Sequence, residues 1–280
     1  MTYEELEAEM LQLLNTGDWD SAQKILFEEQ EKGNPDVFAI FGELFYEGAL
    51  GYEKDILKAK ELYEKSFQSG SARGAYMLGR FYDYGNELFA EDQIKAQYYY
   101  ETAARKGDRD AVYMLATRYG EGKFVDTSPE KAFELYAKGA DMGNPGCMEN
   151  LAVLYEFGEG TKQDIKTAIY WYRRTLEYEP DNDFCMWRLA CCLTNIFNYT
   201  SYAPSPKDIE EAYELTCKAI DLGNTEAYFI LAWFYEEGNI VPRDYDMAQK
   251  YMKLGADNGC ELAIENLGRY KRDIFGHYYV

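Results

Sequence analysis

The sequence predicts an all-α fold, a solenoid in which helix pairs stack side by side. The main observation behind this prediction is a recurring core motif, in which one apolar residue is followed at once by glycine or alanine. The apolar residue stands at Phe41, Leu78, Leu115, Leu151, Leu189, Leu231 and Leu267. The spacing between copies is 36 to 42 residues, which is typical of a helical repeat array. Because one helix pair cannot bury its own apolar surface, neighbouring copies must cover it.

Residues 147–176 show the repeat unit most clearly. Leu151 and Tyr155 are four residues apart, so they share one face of a first helix. Gly158 then interrupts the helical pattern, and Asp164 is placed to cap a second helix. The unit is therefore predicted to be a helix, a short glycine-containing turn and a second helix.

We predict a single solenoid domain over residues 1–280. It comprises a degenerate helix pair at 1–33, six repeats at 34–259, and a capping helix with a tail at 260–280. The regular pairs are expected near 36–70, 74–107, 111–143, 147–178, 184–223 and 227–259, with the last helix near 262–273. That last helix has no second half, so we expect it to close the stack.

Polar residues and glycines mark the predicted helix boundaries at fixed positions of the repeat. The expected N-caps of the second helices are Asp18, Asp55, Asp92, Ser128, Asp164, Asp208 and Asp244. The glycines suited to a left-handed turn after those helices are Gly33, Gly70, Gly107, Gly143, Gly223 and Gly259. The fifth pair departs from this pattern, because Glu179 replaces the glycine and a long loop follows at Asn195–Pro206.

Charge and composition limit the possible functions. The chain has a net charge of −21 and one histidine, His277. We therefore expect no binding to nucleic acid and none to anionic membranes, because phosphate groups would be repelled. No apolar run approaches the roughly 20 residues of a membrane span. The N-terminus has no signal-peptide pattern. We expect a cytoplasmic protein whose six cysteines are reduced.

The repeat motif also resembles a known family. In its second half, a lysine and an alanine are followed by two variable residues. An aromatic or apolar residue and then a tyrosine come next, and a glycine follows later. Two good copies are Lys95, Ala96, Tyr99, Tyr100 and Gly107, and Lys131, Ala132, Leu135, Tyr136 and Gly143. This motif, repeated along nearly the whole chain, resembles the Sel-one-like repeat family, a relative of the tetratricopeptide repeat. The resemblance implies a right-handed α-α superhelix of antiparallel helix pairs and a non-catalytic role in assembling protein complexes.

The sequence contains no pattern that predicts an enzyme or a cofactor. The nucleophile motif GxSxG, the phosphate-binding loop GxxxxGK[ST] and the zinc motif HExxH are all missing. His277 lies three residues from the C-terminus, which is a poor place for a rigid general base. We therefore expect no catalytic residues, no cofactor and no metal ion.

The candidate site is the face of the first helices, which lines the concave groove in the related tetratricopeptide architecture. By that analogy it comprises positions −5, −2, +2, +5 and +6 relative to the motif residue. The partner-binding residues selected in this way are Glu43, Glu47, Tyr76, Arg80, Tyr113, Glu149, Glu156, Trp187, Phe229, Trp233, Glu236 and Glu237. The same rule also selects Tyr46 and Tyr84. Acidic residues are about twice as frequent at these positions as in the whole chain.

Aromatic rings combined with carboxylates suit an extended peptide that carries basic and apolar residues. The leading hypothesis is therefore a monomeric adaptor that binds such a segment of another protein. One alternative is that the groove aromatics only pack adjacent first helices together. Another is a structural subunit that self-associates end to end or through its tail at Tyr278–Val280. A hydrolase on a repeat scaffold is a more distant third possibility.

Overall fold

A computed structural model describes residues 1–49, 51–199, 202–272 and 278–279. The described chain divides into two compact units, Met1–Asn144 and Pro145–Val280. Each unit is built from helix pairs, so the predicted all-α fold class is confirmed. That all repeats form one continuous solenoid remains a prediction.

The first unit contains four helix pairs. Its helices are α1 Tyr3–Thr16, α2 Trp19–Glu31, α3 Asp36–Glu47, α4 Ile56–Gln68, α5 Ala72–Tyr84, α6 Gln93–Arg105, α7 Arg109–Glu121 and α8 Pro129–Asp141. Within it α3 packs on α4, α5 on α6 and α7 on α8, and successive pairs contact each other through α4–α5 and α6–α7. The odd-numbered helices are the first helices of their pairs, as the sequence predicted.

The described residues of the second unit form three pairs and a short closing helix. Its helices are α9 Pro145–Phe157, α10 Ile165–Tyr178, α11 Asp183–Thr194, α12 Pro206–Asp221, α13 Ala227–Glu237, α14 Tyr245–Asp257 and α15 Glu261–Leu267. Two strands of two residues each follow, β1 Lys271–Arg272 and β2 Tyr278–Tyr279, which pair antiparallel with Lys271 opposite Tyr279.

Steric contact explains why a small residue follows the motif leucine. In the α5–α6 pair that small residue is Gly79, and the ring of Tyr100 from α6 lies against it. A Cβ atom added at Gly79 would be only 2.6 Å from Cδ1 of Tyr100. Tyr100 itself is fully buried. The small residue therefore makes room for the buried tyrosine of the partner helix.

The helix boundaries follow the predicted capping residues with one exception. The predicted N-caps at Asp18, Asp55, Asp92, Ser128, Asp164 and Asp244 each accept a hydrogen bond from a backbone N–H of the first turn. The prediction of Asp208 as an N-cap is wrong. Helix α12 begins at Pro206, and Ser205 is its N-cap in a reciprocal capping box with Asp208. The glycines predicted after the second helices all have positive φ.

The C-terminal boundary also differs from the prediction. The last helix ends at Leu267 and not near residue 273. The chain turns at Gly268, and the Arg269 N–H then bonds the Asn266 carbonyl. The side chains of Arg269 and Tyr270 both hydrogen-bond Glu236. Most of the predicted tail, residues 273–277 and 280, lies outside the described residues.

Candidate functional site

The first-helix face of the first unit carries a pocket that joins three predicted site residues. The pocket has a volume of about 150 Å³ and lies between α3 and α5. It is lined by Glu43, Tyr46, Glu47, Tyr63, Met77, Arg80, Phe81 and Tyr84. Glu47, Arg80 and Tyr84 are exposed, whereas Tyr63, Met77 and Phe81 are buried. The predicted residues Glu43, Glu47 and Arg80 are therefore brought together around one opening.

A second pocket adjoins the first on the same face, because Tyr84 lines both. It has a volume of about 210 Å³ and lies between α5 and α7. Its lining residues are Asp83, Tyr84, Tyr113, Met114, Thr117, Arg118, Glu121 and Lys123. The predicted residue Tyr113 is half-buried there, and its ring centroid lies 6.3 Å from that of Tyr136. We call the two pockets together the α3–α5–α7 face.

Burial changes the electrostatics of Glu43 on this face. Burial raises the pKa of the Glu43 carboxyl, and the nearby guanidinium of Arg73 opposes part of that rise. The hydroxyl of Tyr3 lies 3.2 Å from Glu43 Oε2 and 3.0 Å from Glu7 Oε1, so the two carboxylates share its one proton as hydrogen-bond acceptors. Among the described residues, Glu43 has no salt bridge. Its negative charge is therefore hydrogen-bonded but not neutralised by a contacting cation.

Tyr76 belongs to the interior of the first unit and not to the pocket. Its ring is buried, and its centroid lies 6.0 Å from that of Tyr100. The guanidinium of Arg73 lies 4.4 Å from the Tyr76 ring and 4.2 Å from the Tyr3 ring. The same guanidinium bonds Asp110 at 2.6 Å, so its charge is compensated. Arg73 thus links α1, α5 and α7, and Tyr76 packs against its guanidinium.

Glu156 in the second unit is completely buried. Its carboxylate forms a salt bridge with Arg188 of the next first helix. It also accepts hydrogen bonds from the Tyr172 hydroxyl, at 2.8 Å, and from the Tyr199 hydroxyl. These partners satisfy the hydrogen-bonding capacity of the buried carboxylate. Because they come from different segments, Glu156 joins adjacent repeats and holds the long loop at Tyr199 against them.

The arrangement around Glu156 recurs in both units. Each case has an acid near the end of a first helix, a tyrosine hydroxyl that donates to it, and an arginine from the next repeat. The three sets are Asp83 with Tyr100 and Arg118, Glu156 with Tyr172 and Arg188, and Glu236 with Tyr270 and Arg269. We call these sets the acid–tyrosine–arginine clusters. They show that several acids at groove positions neutralise arginines of the same chain.

The remaining predicted residues of the second unit differ in exposure. Glu149 is half-buried and accepts a hydrogen bond from Asn182 at 2.8 Å. Phe229 is buried, whereas Glu237 is exposed. Two further predicted residues, Trp187 and Trp233, are half-buried and pack against the core of this unit. Glu149 lines a pocket together with Glu179, Asn182 and Phe184.

Two aspects of the site were not predicted: the importance of Tyr84, and the pairing of groove acids with arginines of the chain. Tyr84 is 62% exposed and links the two pockets, although the rule gave it no more weight than its neighbours. The arginines that neutralise the buried acids fall at different motif offsets, so a fixed-position reading did not pair them. A search for one arginine following each acid by about one repeat would have found Arg118 and Arg188.

The arrangement offers binding surfaces more readily than reactive groups. Among the described residues, no group of three or more histidine, cysteine, aspartate or glutamate side chains could hold a metal ion. In the same part of the chain, no helix has the length and apolar character needed to span a bilayer. The α3–α5–α7 face instead presents rings beside carboxylates, which is a composition suited to recognising another chain.

Comparison with protein families identifies the repeat. Six segments of the chain match the Sel1 repeat, at residues 41–71, 72–108, 109–144, 145–177, 184–224 and 225–260. The match covers well over half of the chain and includes the irregular fifth pair. The six segments correspond to the six repeats that the sequence predicted.

Two curated relatives share part of the chain. The chitin synthase regulator SKT5 of Saccharomyces cerevisiae is 29% identical over 156 residues, which is 53% of this chain and 21% of that protein. The chitin synthase regulatory factor 3 of Schizosaccharomyces pombe is 28% identical over 147 residues, 51% of this chain and 15% of that protein. The chain thus matches only about a fifth or less of the length of these relatives.

Two solved structures share the fold. The first is c5321, a protective antigen of uropathogenic Escherichia coli strains that displays an SLR fold. It aligns with a TM-score of 0.73 and 22% identity, over 95% of this chain and 56% of that chain. A Sel1 repeat protein from Oxalobacter formigenes aligns with a TM-score of 0.63 and 20% identity, over 89% of this chain and 96% of that one. At these identities the likeness shows the fold alone.

Proposed function

Because the chain belongs to the Sel1 repeat family, we propose that it is a non-catalytic scaffold that binds a segment of another protein on its first-helix face. Sel1 repeat proteins are generally protein-interaction scaffolds. The observation that carries the proposal is the α3–α5–α7 face, where two adjoining pockets share an exposed tyrosine. An extended segment can place one side chain in each pocket while its backbone passes over Tyr84.

The chemistry of this face favours a segment with basic and apolar residues. The two pockets are lined by four acids, Glu43, Glu47, Asp83 and Glu121, and by three cations, Arg80, Arg118 and Lys123, of which Asp83 and Arg118 pair with each other. The whole chain carries a net charge of −21. An acidic surface attracts a basic partner over long range and speeds the encounter, while buried rings slow dissociation. The acids in the acid–tyrosine–arginine clusters are left out of this assignment, because arginines of the chain already neutralise them.

The names of the curated relatives support the coarse form of the proposal. Both are regulators of chitin synthase, and each contains a segment similar to about half of this chain. A regulator can act on another protein by binding it, without an active site of its own. From these names we extend to this chain only the idea that it acts by binding a protein. The cytoplasmic location is proposed from the sequence alone.

Partner capture with two matched tyrosine variants tests the proposal. Tyr84 and Tyr98 are both exposed, by 62% and 54%, but Tyr98 lies on the second helix α6, away from the pockets. The wild-type chain and its Tyr84→Ala and Tyr98→Ala variants are immobilised, exposed to native extract, and washed at low and high salt. We expect a protein that Tyr84→Ala fails to retain and Tyr98→Ala retains, with weaker retention at high salt.

Two results would contradict the proposal. Equal retention by both variants would place the binding surface outside the α3–α5–α7 face. Recovery of the chain itself, together with a concentration-dependent mass in light scattering, would instead support the self-associating subunit.

A further inference from the structure

The pocket between α3 and α5 has the size of a single side chain. Its volume is about 150 Å³, and a protein cavity of about that volume holds one benzene molecule. Sites for drug-sized ligands are larger, roughly 300–1,000 Å³. The pocket is therefore too small for a cofactor and is matched to one side chain of a bound segment.

The lining of this pocket selects for positive charge. Tyr46, Tyr63 and Tyr84 contribute rings, and the face of an aromatic ring is negative and attracts cations. Glu43 and Glu47 add two carboxylates that have no salt bridge among the described residues. A side chain with a long apolar stem and a cationic head would satisfy both groups of residues.

Arg80 is the one positively charged lining residue, so it would repel a bound cation. The net charge of the lining depends on how it compares with the two carboxylates. It is exposed, and the described residues include no salt bridge to it. Its guanidinium lies 6.0 Å from the Tyr76 ring, at the outer limit of a cation–π contact. Two carboxylates against one exposed guanidinium leave the lining net negative. An anionic side chain would meet those carboxylates and the negative ring faces.

We propose that this pocket takes a single lysine or arginine side chain of the partner segment, held between the tyrosine rings and paired with Glu43 and Glu47. This inference rests on the proposed function, since it names the residue that anchors the segment at that site. Arg80 then weakens the anchor. The segment's apolar residues are left for the neighbouring pocket at Tyr113.

Methionine methyl NMR on the full chain tests this anchor without a known partner. Met77 forms part of the pocket wall, and its methyl signal is assigned through Met77→Leu. The probes are N-acetyl-arginine amide, N-acetyl-lysine amide, N-acetyl-glutamate amide and N-acetyl-citrulline amide, the last being the neutral analogue of the arginine probe. We expect a saturable shift of the Met77 methyl with arginine or lysine, and at least about fivefold weaker binding of citrulline and glutamate.

Charge variants provide the sharper test. Glu47→Gln should weaken binding of the arginine probe several-fold, because it removes a negative charge from an exposed lining residue. Arg80→Gln should strengthen that binding, because it removes a positive charge from another. Glu61→Gln is the matched control, since Glu61 is an exposed glutamate of α4 that does not line the pocket. Equal binding of arginine and citrulline, weaker arginine binding in Arg80→Gln, or no Met77 shift with any probe would each overturn the proposal.

These results are distinguishable from failure of the proposed function. If Tyr84→Ala abolishes partner capture while citrulline binds as well as arginine, the face binds a segment and only its basic anchor is wrong. If capture does not depend on Tyr84, the proposed function fails whatever the probes do.

Discussion

The guanidinium of Arg118 lies 2.6 Å from the carboxylate of Asp83, and both side chains are at least 92% buried. Arg118 belongs to α7 and Asp83 to α5, so this salt bridge joins two adjacent repeats. The Tyr100 hydroxyl donates to the other carboxylate oxygen at 3.0 Å. In such a site the loss of one partner strands a buried charge, which costs more than the intact pair contributes.

Arg118→Met should therefore lower the free energy of unfolding by about 3–5 kcal/mol, because it leaves Asp83 buried without its cation. The matched control is Arg173→Met, which removes a salt bridge of similar length between repeats, Arg173 to Glu211 at 2.7 Å. That pair is partly exposed, at 43% and 30%, and therefore much more accessible to water than the Asp83–Arg118 pair, so its loss should cost about 1 kcal/mol or less. Urea unfolding of both variants measures the difference. Equal costs would contradict the structural role assigned to the buried cluster.

Gly79→Ala should destabilise the first unit by about 1–3 kcal/mol, because the new methyl group would overlap the buried Tyr100 ring. Gly120→Ala should do the reverse. Gly120 also lies in a helix, but a Cβ there would meet only Ala132 at 3.7 Å, an ordinary contact. The better helix propensity of alanine should then add about 0.5–1 kcal/mol. Thermal or urea midpoints of the two variants would test the pair, and two changes of the same sign would contradict it.

Asp108 should make stability fall as pH rises through the weakly acidic range. Burial raises the pKa of its carboxyl to about 6, from an ordinary value of 3.8, against the opposing charge of Arg73. Between those values the folded chain keeps a proton that the unfolded chain has released. The stability linked to this group is therefore fully present below about pH 3.8 and lost as pH rises through about 6.

Asp108→Asn removes this titration while keeping a good N-cap. The free energy of unfolding of this variant, relative to that of wild type, should rise by on the order of 2 kcal/mol between about pH 4 and pH 7.5. Asp92→Asn is the control of opposite sign. Hydrogen bonds from the Lys95 backbone and side chain lower the pKa of Asp92, so its charge stabilises the fold above pH 3.8. The stability of Asp92→Asn relative to wild type should therefore fall as pH rises from about 3 to 5. Parallel pH profiles for the two variants would contradict the assignment.

Trp187 and Tyr84 should separate packing from binding. Trp187 is half-buried and packs against the core of the second unit, with its ring centroid 5.8 Å from that of Phe184. Trp187→Ala should therefore lower the free energy of unfolding by about 2–4 kcal/mol. Tyr84→Ala should cost about 0.5 kcal/mol or less, since its ring is mostly exposed. Denaturant melts would show this, and a large loss for Tyr84→Ala would assign that ring to the core.

Local chemistry explains why most of the fold could be predicted from the sequence. The helix pairs follow from the repeating apolar positions, and their ends follow from residues such as Asp92 and Gly107, which need no distant partner. The start of α12 could not be placed in the same way. Asp208 is of a residue type that often caps a helix. The helix nevertheless begins two residues earlier, at Pro206, so Ser205 is the N-cap.

The site was less predictable because exposure depends on partners in other repeats. Glu47 and Glu156 both occupy the groove positions of the repeat. Glu47 is exposed, whereas Glu156 is buried by an arginine and two tyrosines from outside its own helix. The repeat period identifies the face on which such residues lie. Which acid meets an arginine depends on offsets that vary from one repeat to the next.

The most direct test of the account is hydrogen exchange of the full chain with and without the binding segment of its captured partner. We expect slower exchange in the C-terminal turns of α3, α5 and α7, around Glu47, Tyr84 and Glu121, because these turns border the two pockets. The second helices α4, α6 and α8 should exchange as before. Slower exchange confined to those second helices, or unchanged exchange throughout Met1–Asn144, would contradict the claim that this face binds the partner.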